Sequence, residues 1–153
     1  MNKNELGIGI IGAGRIGTLR ANMACRHPSV QFLAISDIDP EKAGLLSQQV
    51  GADFTSSDNS SVISHPEVTS VIVSTPEHEH VAPILEALHL GKPVFVEKPL
   101  ALTLADTDLL VEAADATGVE LRIGYSRRHD RRWMMAKEQI AQGRLGTVLG
   151  IQS

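Results

Sequence analysis

Little in this 153-residue chain serves for crosslinking, for stacking on bases or for crossing a membrane. Its one cysteine, Cys25, cannot form an internal disulfide, which excludes a disulfide scaffold and suits a reducing compartment, the cytoplasm. The role of a small buried apolar residue on the first helix fits Cys25 better than that of a nucleophile. The aromatics are one Trp, one Tyr and three Phe, and the formal net charge is -4. So few rings and a charge of this sign exclude a nucleic-acid partner. No apolar run approaches the ~18 residues of a membrane span, and only Lys3 precedes a first, glycine-broken run. Neither a membrane anchor nor a signal peptide is expected.

What is present is ordinary in bulk and unusual in placement. The length suits one domain with a real core, and 42% apolar with 21% charged residues is typical of globular chains. Residues 6–17, LGIGIIGAGRIG, join an apolar run to Gly12-x-Gly14-x-x-Gly17, and Asp37 follows Gly17 by 20 residues near the end of a second apolar run. Glycines at this spacing are weak evidence alone; the strand before, the helix after and the acid beyond make them a dinucleotide fingerprint. Gly12 permits a tight turn, Gly14 lets backbone N–H groups approach a pyrophosphate, and Gly17 lets the helix pack closely. The helix opening at Arg15 and Ile16 points its positive dipole end at the phosphates, so no basic side chain is needed. Asp37 can accept both hydroxyls of an adenosine ribose and would repel a 2'-phosphate, while Ile38 offers no cation. NAD is therefore expected ahead of NADP.

Strand-like apolar runs alternate with helical periodicity, the pattern of an α/β fold with a doubly wound parallel sheet, the Rossmann dinucleotide-binding fold. The second strand is read at Phe32 to Ser36, followed by a helix from Pro40 with Ala43, Leu46 and Val50 on one face and Gly51 as its stop. Ser56 to Ser61 reads as a loop, and Ser70 to Ser74 as a central strand covered on both faces. Val81, Ile84, Leu85 and Leu88 mark a helix ended by Gly91, before a strand at Val94–Phe95–Val96. Thr103 caps a helix to about Thr117, ended by Gly118, and Glu120 to Gly124 is a further strand. Trp133, Ala136 and Ile140 define a last helix face, Gly143 stops it, and Thr147 to the terminus reads as another strand.

Ligands in such sheets lie beyond the carboxyl ends of the strands. Ser74, Thr75 and Pro76 sit at one such end, where hydroxyls and backbone can line the cofactor path or cap a helix. Glu77-His78-Glu79-His80 superficially suggests metal ligands. The two His diverge on a helix with no third His or Cys nearby, so no metal is expected and a solvated helix start is the default. Glu97-Lys98-Pro99 places two opposite charges at the end of a buried strand, where Lys98 can exchange a proton with a substrate hydroxyl during hydride transfer. A surface ion pair is the plainer alternative. Arg127, Arg128, Arg131 and Arg132 with His129 make a basic cluster, either a charged surface or a site for a substrate carboxylate or phosphate.

Together these residues resemble the N-terminal domain of the glucose-fructose oxidoreductase, inositol dehydrogenase and MocA family (Gfo/Idh/MocA). The matching segments are GIIGAGRIG, Asp37, TPEHEH as a T-P-x-x-x-H pattern ending at His80, GKPVFVEKPLA and GYSRRHDRRW, spread over residues 6–133. Ser126, His129 and Arg131 depart from the Asn, Phe and Pro common there. The resemblance implies that Glu97-Lys98-Pro99 borders the nicotinamide and that Lys98 serves proton transfer; His80, closing the T-P-x-x-x-H pattern, is a candidate for the cofactor site, and Arg127 of the basic cluster a candidate for substrate contact. It also implies oxidation of a secondary alcohol on a sugar, cyclitol or related polyol, or the reverse. Family members continue into a second domain with the Asp and His of the proton relay. Residues 1–153 are therefore expected to bind cofactor with little or no turnover, and the face left bare to favour self-association. The alternative is a non-catalytic dinucleotide-binding or sensing module.

Overall fold

In the computed structural model, which describes residues 5–150, the first apolar run is strand β1 (Leu6–Ile11). It is followed by α1 (Arg15–Ala24), β2 (Val30–Ser36), α2 (Pro40–Val50), β3 (Phe54–Ser56), α3 (Asn59–Ile63) and β4 (Ser70–Val73). Then come α4 (Val81–His89), β5 (Val94–Val96), α5 (Leu104–Thr117), β6 (Leu121–Ile123) and α6 (Arg131–Ala141). The strands form one parallel sheet in the order β3-β2-β1-β4-β5-β6. Chain direction along the sheet reverses between β1 and β4, so the expected doubly wound topology has its switch point there.

The two-residue period of a strand sorts side chains into two layers. Ile10, Leu33 and Ile35 pack with Ala21, Ala24 and Leu46 beneath α1 and α2. Ile11, Ala34, Val71, Val73, Val94 and Val96 pack on the other face with Val62, Ile63, Ile84, Leu88 and Leu110 of α3, α4 and α5. Small residues on α1 let it lie close: Gly17, Ala21 and Ala24 are its buried positions. Helix stops fall where read, with Gly51, Gly91 and Gly118 all at positive φ.

Several expectations change. Ser56 to Ser61 is not simply a loop: Ser56 ends β3, and Asp58 caps α3 by accepting from the Ser60 and Ser61 N–H groups. β4 is covered unevenly: Val71 and Val73 are buried, whereas Ile72, packed in part against the cluster beneath α1 and α2, borders with Phe95 an open groove along α1. Cys25 is exposed, since it is the residue after the last buried position of α1. No residue of α6 is buried, Trp133 and Ile140 included. Thr147 to Gly150 form no strand, with Leu149 fully open to solvent and no sheet neighbour; residues 151–153 lie outside the described part.

Lys92 joins the short α3 to the rest. Its Nζ donates to the carbonyls of Ile63 (2.6 Å) and His65 (2.8 Å), closing the end of α3 from the turn before β5. Partial burial lowers its pKa. Lys92→Met keeps the aliphatic stem and removes both donors, so the chain should lose about 1–3 kcal/mol in denaturant unfolding; an unchanged midpoint would show that the contacts carry no net stability.

Candidate functional site

The three fingerprint glycines are required for different reasons. Gly12 has φ +98°, and a Cβ there would stand 2.9 Å from the Ser74 backbone, so both turn and close approach exclude a side chain. At Gly17 a Cβ would lie 1.8 Å from the Gly12 carbonyl oxygen. At Gly14 it would meet nothing within 4 Å. The fold itself therefore needs Gly12 and Gly17, while Gly14 keeps a space open.

That space faces the start of α1. Asp39, Asp58, Thr103 and Asp130 cap α2, α3, α5 and α6, but no side chain caps α1 and no carboxylate lies in its first turn. The unsatisfied amides and positive dipole end near Gly14, Arg15 and Ile16 are a setting for an anion. Arg15 itself is exposed and Ile16 half-buried.

Asp37 closes the other side. Its Oδ2 accepts from the Ala13 N–H at 2.7 Å and its Oδ1 from the Asp39 N–H at 3.0 Å, so the carboxylate ties the glycine loop to the start of α2. Each oxygen keeps a further lone pair for a ribose hydroxyl. The Ser74 hydroxyl donates to the carbonyls of Ile11 and Gly12, both 3.1 Å away, holding the β4 end against the β1 end. It is thus a brace, not a helix cap. Between these walls lies a cleft of about 200 Å³ lined by Gly12, Gly14, Asp37, Ile38, Lys42, Asn59, Ser74, Thr75, Pro76 and Glu79. The Thr75 hydroxyl is buried with no hydrogen-bond partner among the described residues. Lys42 and Asn59 were not anticipated, and Glu79 was considered only as a metal ligand; Lys42 is a cation on the rim, engaged by Asp39 at 3.5 Å.

At the end of β5 the Glu97 N–H donates to the Val73 carbonyl at 3.0 Å, which sets Glu97 and Lys98 beside Ser74 and Thr75. Glu97 is no simple surface partner of Lys98. Its Oε1 accepts from Nε (2.8 Å) and Nη2 of Arg20, whose guanidinium also lies 4.9 Å from the Phe95 ring centre. Arg20 carried one faint signal, its place three residues after Gly17 on the side of α1 facing the sheet. Lys98, preceding a cis peptide to Pro99, is exposed and makes no hydrogen bond or ion pair among the described residues.

His80 is not part of a solvated helix start. It is 1% exposed, absent from the cleft lining, and directed at three carbonyls, those of Thr75, Pro99 and Leu100. His78 is exposed, 3.6 Å from Glu79. Among the described residues no three His, Cys, Asp or Glu side chains are grouped to hold a metal. Arg127 lies away from the cleft, its guanidinium 5.5 Å from the Trp133 ring centre in a shallow depression with Arg128, Met134 and Lys137. Asp130 opens α6, where the Arg132 side chain and backbone N–H bring its pKa down to about 2.

Sheet order, uncapped α1, open Gly14 and oriented Asp37 define a dinucleotide-binding α/β domain, and a dinucleotide fits the donors and acceptors present. The family model for the Gfo/Idh/MocA oxidoreductases with an NAD-binding Rossmann fold matches residues 6–125, and the chain belongs to that family. It is 33% identical over 139 residues to a myo-inositol 2-dehydrogenase of Thermotoga maritima, which covers 91% of this chain and 42% of the relative. It is 30% identical over 145 residues to a scyllo-inositol 2-dehydrogenase (NAD(+)) of Bacillus subtilis, covering 94% and 42%. Among solved structures, scyllo-inositol dehydrogenase from Lactobacillus casei with bound NAD(H) and scyllo-inositol superposes with a TM-score of 0.87 at 26% identity, over 93% of this chain and 42% of that one. The chain thus spans less than half the length of these relatives.

The differing roles of the glycines are directly measurable. Gly17→Ala should lower stability by about 3 kcal/mol or more, since backbone must move, while Gly14→Ala should stay within about 1 kcal/mol of the parent. Equal losses in thermal unfolding would mean that Gly14 also serves the fold.

Proposed function

We propose that the chain is the cofactor-binding part of an NAD-dependent dehydrogenase that moves a hydride between nicotinamide and a secondary alcohol of a cyclitol, sugar or related polyol. The observation that carries this reading is the pairing of an open Gly14 with an Asp37 carboxylate already oriented by two backbone amides. The inositol dehydrogenases among the relatives support the polyol class.

Bound NAD supplies the hydride acceptor, and NADH the donor. The amides opening α1 hold the pyrophosphate, with Ser74, Thr75 and Pro76 as the facing wall. Asp37 accepts the adenosine ribose hydroxyls and repels a 2'-phosphate. Lys98, exposed at the end of β5, exchanges the substrate hydroxyl proton at Nζ; Arg127 is a more distant candidate for substrate contact. Glu97 holds its place through Arg20. On their own, the 153 residues bind cofactor with little or no turnover. The single Cys25 is consistent with a cytoplasmic site of action, and no helix among the described residues is long and apolar enough to cross a membrane. Exposed Trp133, Met134 and Ile140 on α6 support self-association.

Calorimetric titration tests the cofactor reading. NADH should bind at least about tenfold more tightly than NADPH, and Asp37→Asn, which keeps an acceptor for the Ala13 N–H but removes the charge, should narrow that gap. Equal affinity for both in the parent chain would overturn the role given to Asp37.

A further inference from the structure

Ser36 and His80 are the buried polar residues among those described, and only His80 spans two strand ends. Its ring projects from the residue preceding α4. Nε2 lies 3.1 Å from the Thr75 carbonyl, and Nδ1 lies 3.0 Å from that of Pro99 and 3.3 Å from that of Leu100. Every partner is an acceptor, so the ring can only donate: to one side as a neutral tautomer, to both when both nitrogens carry hydrogen. Thr75 belongs to the cleft wall, and Pro99 follows Lys98. A buried ring that donates to one segment and packs against the other fixes their spacing, because moving the first strands a polar atom and moving the second opens a void.

We propose that His80 is a positioning residue, holding the segment Ser74–Pro76 and the segment Lys98–Leu100 at the separation at which one dinucleotide meets both. His80 does not touch the cofactor; it acts through the Thr75 and Pro99 carbonyls. This rests on the reading of Lys98 as the residue bordering the nicotinamide. The Ala13–Asp37 bond and the Ser74 brace to Ile11 and Gly12 hold the glycine loop, Asp37 and Ser74–Pro76 together without His80, so Lys98–Leu100 is the segment that shifts when His80 is lost.

The test uses two probes, NADH and ADP-ribose, the latter lacking the nicotinamide, titrated into the 153-residue chain and its His80→Phe and His80→Gln variants. Unfolding midpoints are measured alongside. His80→Phe should weaken NADH about tenfold and ADP-ribose less than about threefold, and His80→Gln, which retains an amide donor, should recover part of the NADH affinity. Parallel loss for both probes, or no loss for either, would overturn the positioning role. Should His80→Phe not fold, His80→Gln carries the test: a loss confined to NADH supports the role and an equal loss overturns it. A parent chain that binds neither probe overturns the cofactor reading and this inference with it, whereas a parent that binds both and variants that do likewise overturn only the inference.

Discussion

The approach of α1 to the ends of β1 and β4 is the constraint on which the rest of the site depends. With the Gly17 Cα packed over the Gly12 carbonyl, a β-carbon has no room, and the helix can begin immediately beyond the sheet. That contact aims the uncapped amides of α1 at the switch point. It also sets Arg20, one turn further on, within reach of Glu97 at the end of β5. Withdraw α1 by the width of a methyl group and both the anion setting and the ion pair move with it.

Three residues of the site carry a structural bond as well as a candidate contact. Asp37 holds two backbone amides before any ribose arrives, Ser74 braces the β1 and β4 ends, and Glu97 is engaged by Arg20. A site whose side chains are already held has less conformational freedom to lose when a ligand binds. Gly14, the Thr75 hydroxyl and Lys98 differ: the first leaves open space, and neither of the other two makes a bond among the described residues. The cleft wall and the β5 end therefore combine rigid supports with a few unused groups, the distribution expected of a preorganised binding site.

The glycine loop and Asp37 were legible in the sequence because their requirements are local: a positive φ, a close approach, a carboxylate at the end of the next strand. Helices α2 and α5 were equally plain, the first from Pro40, its apolar face and Gly51, the second from the Thr103 cap and Gly118, both glycines at positive φ. By contrast, α3 is five residues long and buries only Val62 and Ile63, too few for a period, and polar Asn59, Ser60 and Ser61 mask it. Arg20 was missed because its partner lies 77 residues away. His80 was misread for a related reason: nothing in its neighbours reveals that carbonyls from another strand end would surround it. The last strand failed because an apolar run such as Val148–Leu149 forms a strand only beside a partner strand.

The most direct measurement is an amide-resolved NMR titration of the chain with NADH. If the site is the switch-point cleft, the perturbed amides will be those of Gly12 to Gly17, Asp37, Ser74 to Pro76 and Glu97 to Lys98, with α5 and α6 unmoved. Shifts concentrated instead at Arg127 to Trp133, with the Gly14 amide unchanged, would mean that NADH binds merely as an anion on the basic surface and would contradict a dinucleotide site at the β1–β4 switch point.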